Sequence, residues 1–82
     1  MIKVAVVGSG GNMGSEAVKA VNNDPELSLV AQIDMGDDLA TVLAQEKPDV
    51  AIDFTHPSCV KQNIETIISS GIHAVVGTTG LS

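Results

Sequence analysis

Val4-Ala5-Val6-Val7-Gly8-Ser9-Gly10-Gly11-Asn12-Met13-Gly14 is the segment from which the architecture of this chain follows. A short run of apolar, mostly β-branched residues stops at glycines, and a helical pattern begins directly after them. This order predicts a buried parallel strand, a tight turn and the first turn of a helix. Gly8 allows a sharp bend after the strand, and Gly14 allows the helix to pack closely on it.

The same turn is suited to binding an anion. Backbone N–H groups and the helix dipole both favour negative charge there, and Gly10 and Gly11 let the backbone approach a phosphate without an intervening Cβ. Gly8, Gly11 and Gly14 form G-x-x-G-x-x-G, a variant of the dinucleotide pattern G-x-G-x-x-G. Glycine-rich strand–helix turns also occur simply as turns, so both interpretations stay open on the pattern alone.

Strand and helix patterns alternate along the rest of the chain. Strands are predicted at 2–7, 27–33, 49–54 and 72–76, and helices at 12–22, from a cap at Asp37 or Asp38 to 45, and from Pro57 to Ser69. The predicted inward-facing residues are Met13, Ala17, Ala20 and Val21, then Leu39, Val42 and Leu43, then Val60, Ile64, Ile67 and Ile68. The alternation predicts an α/β, Rossmann-like, doubly wound parallel sheet in three layers, with strand order 2-1-3-4.

Composition limits the classes of protein to consider. The 82 residues suffice for one small domain, and the core must be aliphatic because Phe54 is the sole aromatic residue. A net charge of −6 argues against nucleic acid and anionic membrane surfaces as partners. The one cysteine, Cys59, rules out an internal disulfide and fits a reducing compartment. No apolar run approaches the ~20 residues of a membrane span, so we expect a soluble cytoplasmic protein.

Four polar or glycine-rich features follow the four predicted strands: the turn 8–14, Asp34, the segment 53–57 and the segment 77–80. In an open parallel sheet, ligands bind at the carboxyl edge where these features lie. Asp34 is 20 positions after Gly14, which suits a carboxylate that accepts hydrogen bonds from adenosine ribose hydroxyls. It can instead be a strand-end cap to the next turn.

Several other residues have a structural interpretation beside a functional one. Phe54 can be the large residue of the core as well as part of the site, and Asp53 can simply accept backbone N–H bonds. His56 is interpreted as a capping or surface residue, and neither it nor His73 has a second ligand placed for a metal. The sequence therefore predicts no catalytic residue and no metal site.

The motifs V-A-V-V-G-x-x-G-x-M-G, D-F-T-x-P and G-I-H-A-V-V-G-T-T-G together resemble the N-terminal part of 4-hydroxy-tetrahydrodipicolinate reductase, also called dihydrodipicolinate reductase. The resemblance covers essentially the whole chain. It implies a two-domain oxidoreductase of lysine and diaminopimelate biosynthesis. In that enzyme a nicotinamide-dinucleotide domain delivers hydride to a cyclic imine or enamine, which a second α/β domain holds.

The resemblance also implies roles for site residues. The pyrophosphate would lie on Gly8, Ser9, Gly10, Gly11, Asn12 and Met13, at the start of the helix that Gly14 packs. Asp34 would bind the adenosine ribose, and Gly77, Thr78 and Thr79 would line the nicotinamide end beside Phe54 and Thr55. Asn12 departs from the family, which usually has arginine there, and the paired histidines and lysine of the substrate domain are absent. We therefore expect residues 1–82 to be a truncated cofactor domain without reductase activity alone.

Two further expectations concern partners. NADH should bind more tightly than NADPH, because Asp34-Met35-Gly36-Asp37-Asp38 offers carboxylates and no cation to a 2′-phosphate. The fourth strand, 72–76, would be an apolar edge through which two chains can associate. Two rival functions remain open: a structural or engineered module that keeps the fold without binding cofactor, and a dinucleotide-sensing domain without turnover.

Overall fold

A computed structural model describes residues 2–34, 37–55 and 57–77 of the chain. Strands and helices alternate through these residues as predicted. The elements are β1 (Ile2–Val7), α1 (Asn12–Asn23), β2 (Leu27–Ile33), α2 (Leu39–Glu46), β3 (Val50–Asp53), α3 (Pro57–Ser69) and β4 (His73–Val76). Compared with the predictions, β3 is shorter by one residue at each end, β4 begins one residue later, and α1 and α2 each end one residue later.

The four strands form one parallel sheet in the order β2-β1-β3-β4, which confirms the predicted order. Val7, the last residue of β1, is in register with Ile33 of β2 and with Asp53 of β3, and Asp53 is in turn in register with Val76 of β4. All four strands therefore end at the same level. The residues that follow them share one edge of the sheet.

The core lies on both faces of the sheet, as a three-layer fold requires. Residues 4–7 of β1 are buried. On one face, Ala5 and Val7 pack with Leu43 of α2 and Ile67 of α3. On the other face, Val4 and Val6 pack with Val21 of α1. The central strand is thus covered by helices on both sides, in agreement with its nearly continuous apolar sequence.

The edge strand β2 contains a bulge that the sequence did not indicate. Val4 pairs with Leu29 and Ala5 pairs with Ala31, so the register skips Val30. Leu29 packs on the α1 side of the sheet, whereas Ala31 packs on the side of α2 and α3. The extra residue shifts the alternation of the side chains, so that Leu29 and Ala31 face opposite sides of the sheet although they are two residues apart. One apolar segment thereby contributes side chains to both halves of the core.

Two helices are rotated relative to their predicted inward faces. In α1 the buried stripe begins at Gly14 and continues through Ala17, Val18 and Val21, while Met13 is 48% exposed and Ala20 is exposed. In α3, Val60 and Ile67 are buried, but Ile68 is 61% exposed. The predictions for Met13, Ala20 and Ile68 were wrong. Met13 and Ile68 each lie about 100° around the helix from the neighbour that makes the close contact.

A glycine, Gly71, ends helix α3. Gly71 has a φ of 78°, its N–H donates to the Ile68 carbonyl oxygen at 3.0 Å, and the Ile72 N–H donates to that of Ile67 at 3.2 Å. This pair of bonds closes the last turn because glycine adopts the left-handed conformation without steric cost. Within the described residues, no helix combines the length and the apolar character needed to cross a bilayer.

Candidate functional site

The glycine turn is shaped by contacts with two neighbouring strands. Gly8 has a φ of 84°, and its N–H donates to the Ile33 carbonyl oxygen of β2 at 2.6 Å. A Cβ added to Gly8 would lie 3.0 Å from the backbone carbonyl carbon of Phe54, directly after β3. Both the backbone conformation and the space available therefore require glycine at this position.

Gly14 allows α1 to begin directly against that turn. A Cβ added to Gly14 would lie 1.9 Å from the carbonyl oxygen of Gly8 and 3.0 Å from the Cα of Ser9. Backbone atoms cannot give way by that amount without a shift of the helix. The predicted close packing is confirmed, with the turn rather than the strand as the surface that the helix contacts.

The first turn of α1 has backbone N–H donors without a partner among the described residues. Its N-cap residue, Gly11, makes no side-chain capping bond, and the Gly11 N–H donates to the Gly8 carbonyl oxygen at 3.2 Å. The N–H groups of Asn12, Met13 and Gly14 donate to no residue in the described parts of the chain. These are donors that a helix cannot satisfy internally. Together with the helix dipole they make this end of α1 suitable for an anion.

The side chain of Asp34 contacts the glycine turn, whereas its backbone contacts the turn that follows it. Its Oδ1 accepts the Gly10 N–H at 2.7 Å, and its Oδ2 accepts the Ser9 hydroxyl at 3.2 Å. Its own N–H donates to Oδ2 of Asp37 at 2.9 Å. The side chain is exposed, so its oxygens remain accessible from the carboxyl edge. The carboxylate therefore joins the ends of β1 and β2.

A second polar network fixes the turn after β3. Asp53 is fully buried, and its Oδ1 accepts both the N–H of Thr55, at 2.7 Å, and the Thr55 hydroxyl. The side-chain amide of Asn63 on α3 donates to Oγ1 of Thr55 at 3.1 Å. The spacing in D-F-T thus has a structural basis. The carboxylate closes a local turn, which holds the backbone of Phe54 between its two ends.

Phe54 belongs to the core and to the carboxyl edge at the same time. Its ring packs beside the cluster of Val4, Val6 and Val21 on the α1 side of the sheet. A Cβ added to Gly77, just after β4, would lie 2.2 Å from Cε1 of that ring. The ring therefore occupies the place of a side chain at position 77. The two interpretations of Phe54 from sequence are compatible.

These contacts connect the ends of all four strands. Asp34 meets Gly10, Gly8 meets Phe54, and Phe54 meets Gly77. The structure thus assembles the predicted site residues at one edge, namely Gly8, Ser9, Gly10, Gly11, Asn12, Met13, Gly14, Asp34, Phe54, Thr55 and Gly77. Thr78 and Thr79 lie outside the described residues, as does His56. His73 lies exposed on β4.

The N-terminus of α2 has a side-chain cap, whereas that of α1 has none. Asp38 is the N-cap residue, and its carboxylate accepts the N–H of Thr41 at 3.4 Å and the Thr41 hydroxyl at 2.8 Å. The side-chain bond from Thr41, followed by the backbone bond, holds the pKa of Asp38 below its ordinary value. Of the two predicted caps, Asp38 is the one that the structure uses.

A cavity of about 190 Å³ opens beside Asp34, on the face covered by α2 and α3. Its lining includes Asp37, Thr55, Asn63 and the half-buried Cys59. Sequence reasoning missed Asn63 and named Asp37 only as a cap and as one of the carboxylates that disfavour a 2′-phosphate. Asn63 is one helical turn after Cys59 on α3, which is a signal too weak to single out an asparagine. A larger cavity, of about 490 Å³, lies at the opposite edge, near Lys47 and Gly71.

The described residues contain no group of three or more histidine, cysteine or carboxylate side chains that could hold a metal ion. The polar groups at the carboxyl edge are instead backbone N–H donors, hydroxyls and exposed carboxylates, among them Asp34 and Asp37. Such a set suits an anionic ligand that also carries hydroxyl groups. At Gly10 the Asp34 carboxylate takes the place of a Cβ, whereas at Gly11 an added Cβ would lie 3.6 Å from its nearest atom, so the turn has room for such a ligand there.

Comparisons with known proteins agree on one family. Residues 2–82 match the family model described as "Dihydrodipicolinate reductase, N-terminus". The 4-hydroxy-tetrahydrodipicolinate reductase of Beutenbergia cavernae is 48% identical over 79 residues, which are 96% of this chain and 31% of that protein. The protein of the same name from Corynebacterium urealyticum is 49% identical over 80 residues, which are 98% of this chain and 32% of that protein.

A solved structure has the same fold. The structure titled "Dipicolinate bound Dihydrodipicolinate reductase from Paenisporosarcina sp. TG-14" superposes with a TM-score of 0.86 at 28% identity. The superposition covers 100% of this chain and 39% of that one. The chain thus spans about a third of the length of the curated relatives it matches.

Proposed function

The chain belongs to the dihydrodipicolinate reductase family, as its N-terminal part, and from that premise we propose that it binds a reduced nicotinamide dinucleotide along the carboxyl edge of its sheet. The pyrophosphate would lie on residues 8–13, against the start of α1. The adenosine ribose would bind Asp34, and the nicotinamide would lie toward Phe54, Thr55 and the segment 77–79. Members of the family bind a nicotinamide dinucleotide.

One observation carries this proposal. The N–H groups of Asn12, Met13 and Gly14 have no partner among the described residues, and Gly11 provides no side-chain cap. Gly8 and Gly14 bring the turn and the helix so close that a Cβ at either position would meet backbone atoms. An anion is the ligand that such a turn fits, because it satisfies the donors and the helix dipole together.

The chemistry of the complete protein would be a reduction. When bound, the cofactor supplies the hydride, while the protein orients it and sets the local electrostatics. We assign the cofactor part to residues 1–82, and a second domain of the complete protein would hold a cyclic imine or enamine of lysine and diaminopimelate biosynthesis. Positioning contributes up to about 7–11 kcal/mol to such reactions. We therefore expect no reductase turnover from the 82-residue chain alone.

We also propose that the site prefers NADH to NADPH. A 2′-phosphate carries close to two negative charges and needs cations or several donors. After β2 the chain offers carboxylates, among them Asp34 and Asp37, and the chain contains no arginine. Its cations lie elsewhere: Lys3 in β1, Lys19 in α1, Lys47 after α2 and Lys61 in α3.

The exposed edge supports a proposal about assembly. Among the described residues, β4 has a hydrogen-bonded neighbour on one side only, and Val75 and Val76 are 47% and 44% exposed. An open strand of this kind can pair with the same strand of a second chain. We propose self-association through residues 72–76, with sedimentation as the test; a monomer at high protein concentration would contradict it.

For location we propose the cytoplasm, on the evidence of a single unpaired cysteine.

Titration with NADH tests the binding proposal directly. The chain contains no Trp or Tyr, so the fluorescence of the reduced nicotinamide can be followed without interference from protein emission. We expect a saturable change for NADH and, in the same buffer, binding of NADPH that is weaker by about tenfold, which corresponds to ~1.4 kcal/mol. Absence of saturable binding would contradict the function. Equal or tighter binding of NADPH would contradict the assignment of Asp34 to the ribose.

A further inference from the structure

We propose that Asp34 also acts on the glycine turn itself, because its carboxylate holds the first half of that turn in the conformation that binds the pyrophosphate. This inference rests on the proposed function and deepens it. It makes Asp34 a positioning residue for the anion site, in addition to its contact with the ribose.

The turn has an anchored half, residues 8–10, and an open half, residues 12–14. The Ile33 carbonyl oxygen accepts the N–H of Gly8 at 2.6 Å and that of Ser9 at 3.4 Å, and the Asp34 carboxylate accepts the N–H of Gly10 at 2.7 Å. Every N–H from Gly8 to Gly10 thus donates to the end of β2. The N–H groups of residues 12–14, by contrast, donate to no described residue. The anchored half sets the direction in which the open half points.

The side chain of Ser9 strengthens the same contact. Ser9 is 9% exposed, and its hydroxyl donates to Oδ2 of Asp34 at 3.2 Å. A buried hydroxyl needs a partner, since burying it unpaired costs free energy. Asp34 is the partner that the described residues provide. Loss of the carboxylate would therefore release both the hydroxyl of Ser9 and the N–H of Gly10.

The carboxylate and the turn are in close contact. A Cβ added to Gly10 would lie 3.1 Å from Oδ1 and 3.4 Å from Oδ2 of Asp34, so the carboxylate lies directly over the backbone of the turn. Two hydrogen bonds to Asp37 also hold Asp34 in position. The Asp34 N–H donates to the Asp37 carboxylate at 2.9 Å, and the Asp37 N–H donates to the Asp34 carbonyl oxygen at 3.0 Å.

The two roles of Asp34 are compatible. A carboxylate has about four positions at which it can accept hydrogen bonds. Ser9 and Gly10 use two of them, and the exposed side chain keeps the others accessible to ribose hydroxyls. The same group can therefore hold the turn before the cofactor binds and accept from the ribose afterwards.

For a ligand without ribose, the two roles of Asp34 predict opposite effects of its removal on affinity. A negative charge close to an anion site weakens the binding of inorganic pyrophosphate. If Asp34 acted on the ribose alone, Asp34→Ala would leave pyrophosphate binding unchanged or tighter. If it holds the turn, Asp34→Ala weakens that binding although a repulsive charge has been removed.

Calorimetric titration of the 82-residue chain with inorganic pyrophosphate measures whether Asp34→Ala weakens or strengthens this binding. We expect Asp34→Ala to bind pyrophosphate about tenfold more weakly, equivalent to ~1.4 kcal/mol. Asp34→Asn should restore binding to at least the original level, because its amide oxygen still accepts the Gly10 N–H and its charge is gone. Ser9→Ala keeps the charge and removes one bond, so it gives a smaller loss and serves if Asp34→Ala fails to fold, which thermal unfolding reveals.

The outcomes separate this inference from the proposed function. Pyrophosphate binding by Asp34→Ala that equals or exceeds that of the unaltered chain overturns the positioning role. NADH binding without pyrophosphate binding by the unaltered chain also overturns it, while the proposed function stands. Binding of neither ligand by the unaltered chain contradicts the proposed function itself.

Discussion

Helices α1 and α2 both begin at the carboxyl edge of the sheet, after the neighbouring strands β1 and β2. In α2, the side chain of Asp38 accepts from the N–H and the hydroxyl of Thr41. In α1, Gly11 stands at the equivalent position and provides no side-chain acceptor. One helix thus caps its first N–H groups with a carboxylate from its own sequence, whereas in the other the N–H groups of Asn12, Met13 and Gly14 donate to no described residue.

The difference indicates what each start is for. A side-chain cap stabilises a helix, so a chain that omits one gives up stability unless a ligand provides the acceptor. The glycines at α1 also keep side chains away from the donors, while Asp34 ties the turn in place from β2. We propose that the α2 start is structural and that the α1 start is a binding surface. Exchanging features between the two starts tests this comparison.

The largest effect is expected for Gly14→Ala. The added Cβ would lie 1.9 Å from the Gly8 carbonyl oxygen, so α1 must move away from the turn. Overpacking of this kind costs about 1–3 kcal/mol, and more where backbone atoms are involved. We expect a lower free energy of unfolding in urea and loss of NADH binding.

Gly71→Ala is the matched control for that variant. Gly71 has a positive φ at the end of α3, but an added Cβ meets nothing within 4 Å and lies far from the site. The left-handed conformation costs alanine about 1–2 kcal/mol. Stability should fall while NADH binding persists. If Gly71→Ala abolished binding as well, the loss in Gly14→Ala would reflect general destabilisation instead of the turn.

The next effect comes from giving α1 the cap that α2 has. Gly11 has φ −82° and ψ 170°, an extended conformation that aspartate adopts, and a Cβ there would keep a distance of 3.6 Å from its nearest atom. In Gly11→Asp the carboxylate can accept the free N–H groups of α1. We expect stability to rise by a few tenths of a kcal/mol, since glycine is itself a tolerated cap.

Cofactor binding should change in the opposite direction. The new carboxylate occupies the donors and repels the pyrophosphate, so NADH should bind at least tenfold more weakly, or by ~1.4 kcal/mol. Gly11→Ser separates the two causes, because a hydroxyl caps the helix without charge and should reduce binding less. A Gly11→Asp variant that binds NADH normally would show that the open start of α1 is not the anion site.

Sequence patterns predicted the fold well because the alternation and the strand order depend on long apolar segments. They also predicted which residues lie together at the carboxyl edge, because the glycine turn and Asp34 follow strands that end at one level. The bulge at Val30 and the orientation of Ile68 escaped prediction. Each depends on contacts between elements, which the spacing of apolar residues and the composition do not encode. The bond between Asp34 and Ser9 escaped for the same reason.

Removing the cap of α2 should have a smaller effect than changing the start of α1. In Asp38→Ala the N–H and the hydroxyl of Thr41 lose their acceptor. We expect a modest decrease in Tm at neutral pH and unchanged affinity for NADH, because this helix start has an internal function. A large fall in NADH affinity would show that the two starts do not have the separate roles assigned here.

The smallest effect is the pH dependence of that same cap. The bonds from Thr41 hold the pKa of Asp38 below its ordinary value of 3.8, so the folded state favours the charged carboxylate. Its contribution to stability is therefore fully present above the unfolded pKa and is lost as the pH falls through the folded one. Asp38→Asn keeps an acceptor that does not titrate. Thermal unfolding from pH 7 down to about pH 3 should show a smaller decrease in Tm for this variant than for the unaltered chain, since the other carboxyl groups are common to both. Equal decreases in the two proteins would mean that the cap contributes nothing to the acid sensitivity of the fold.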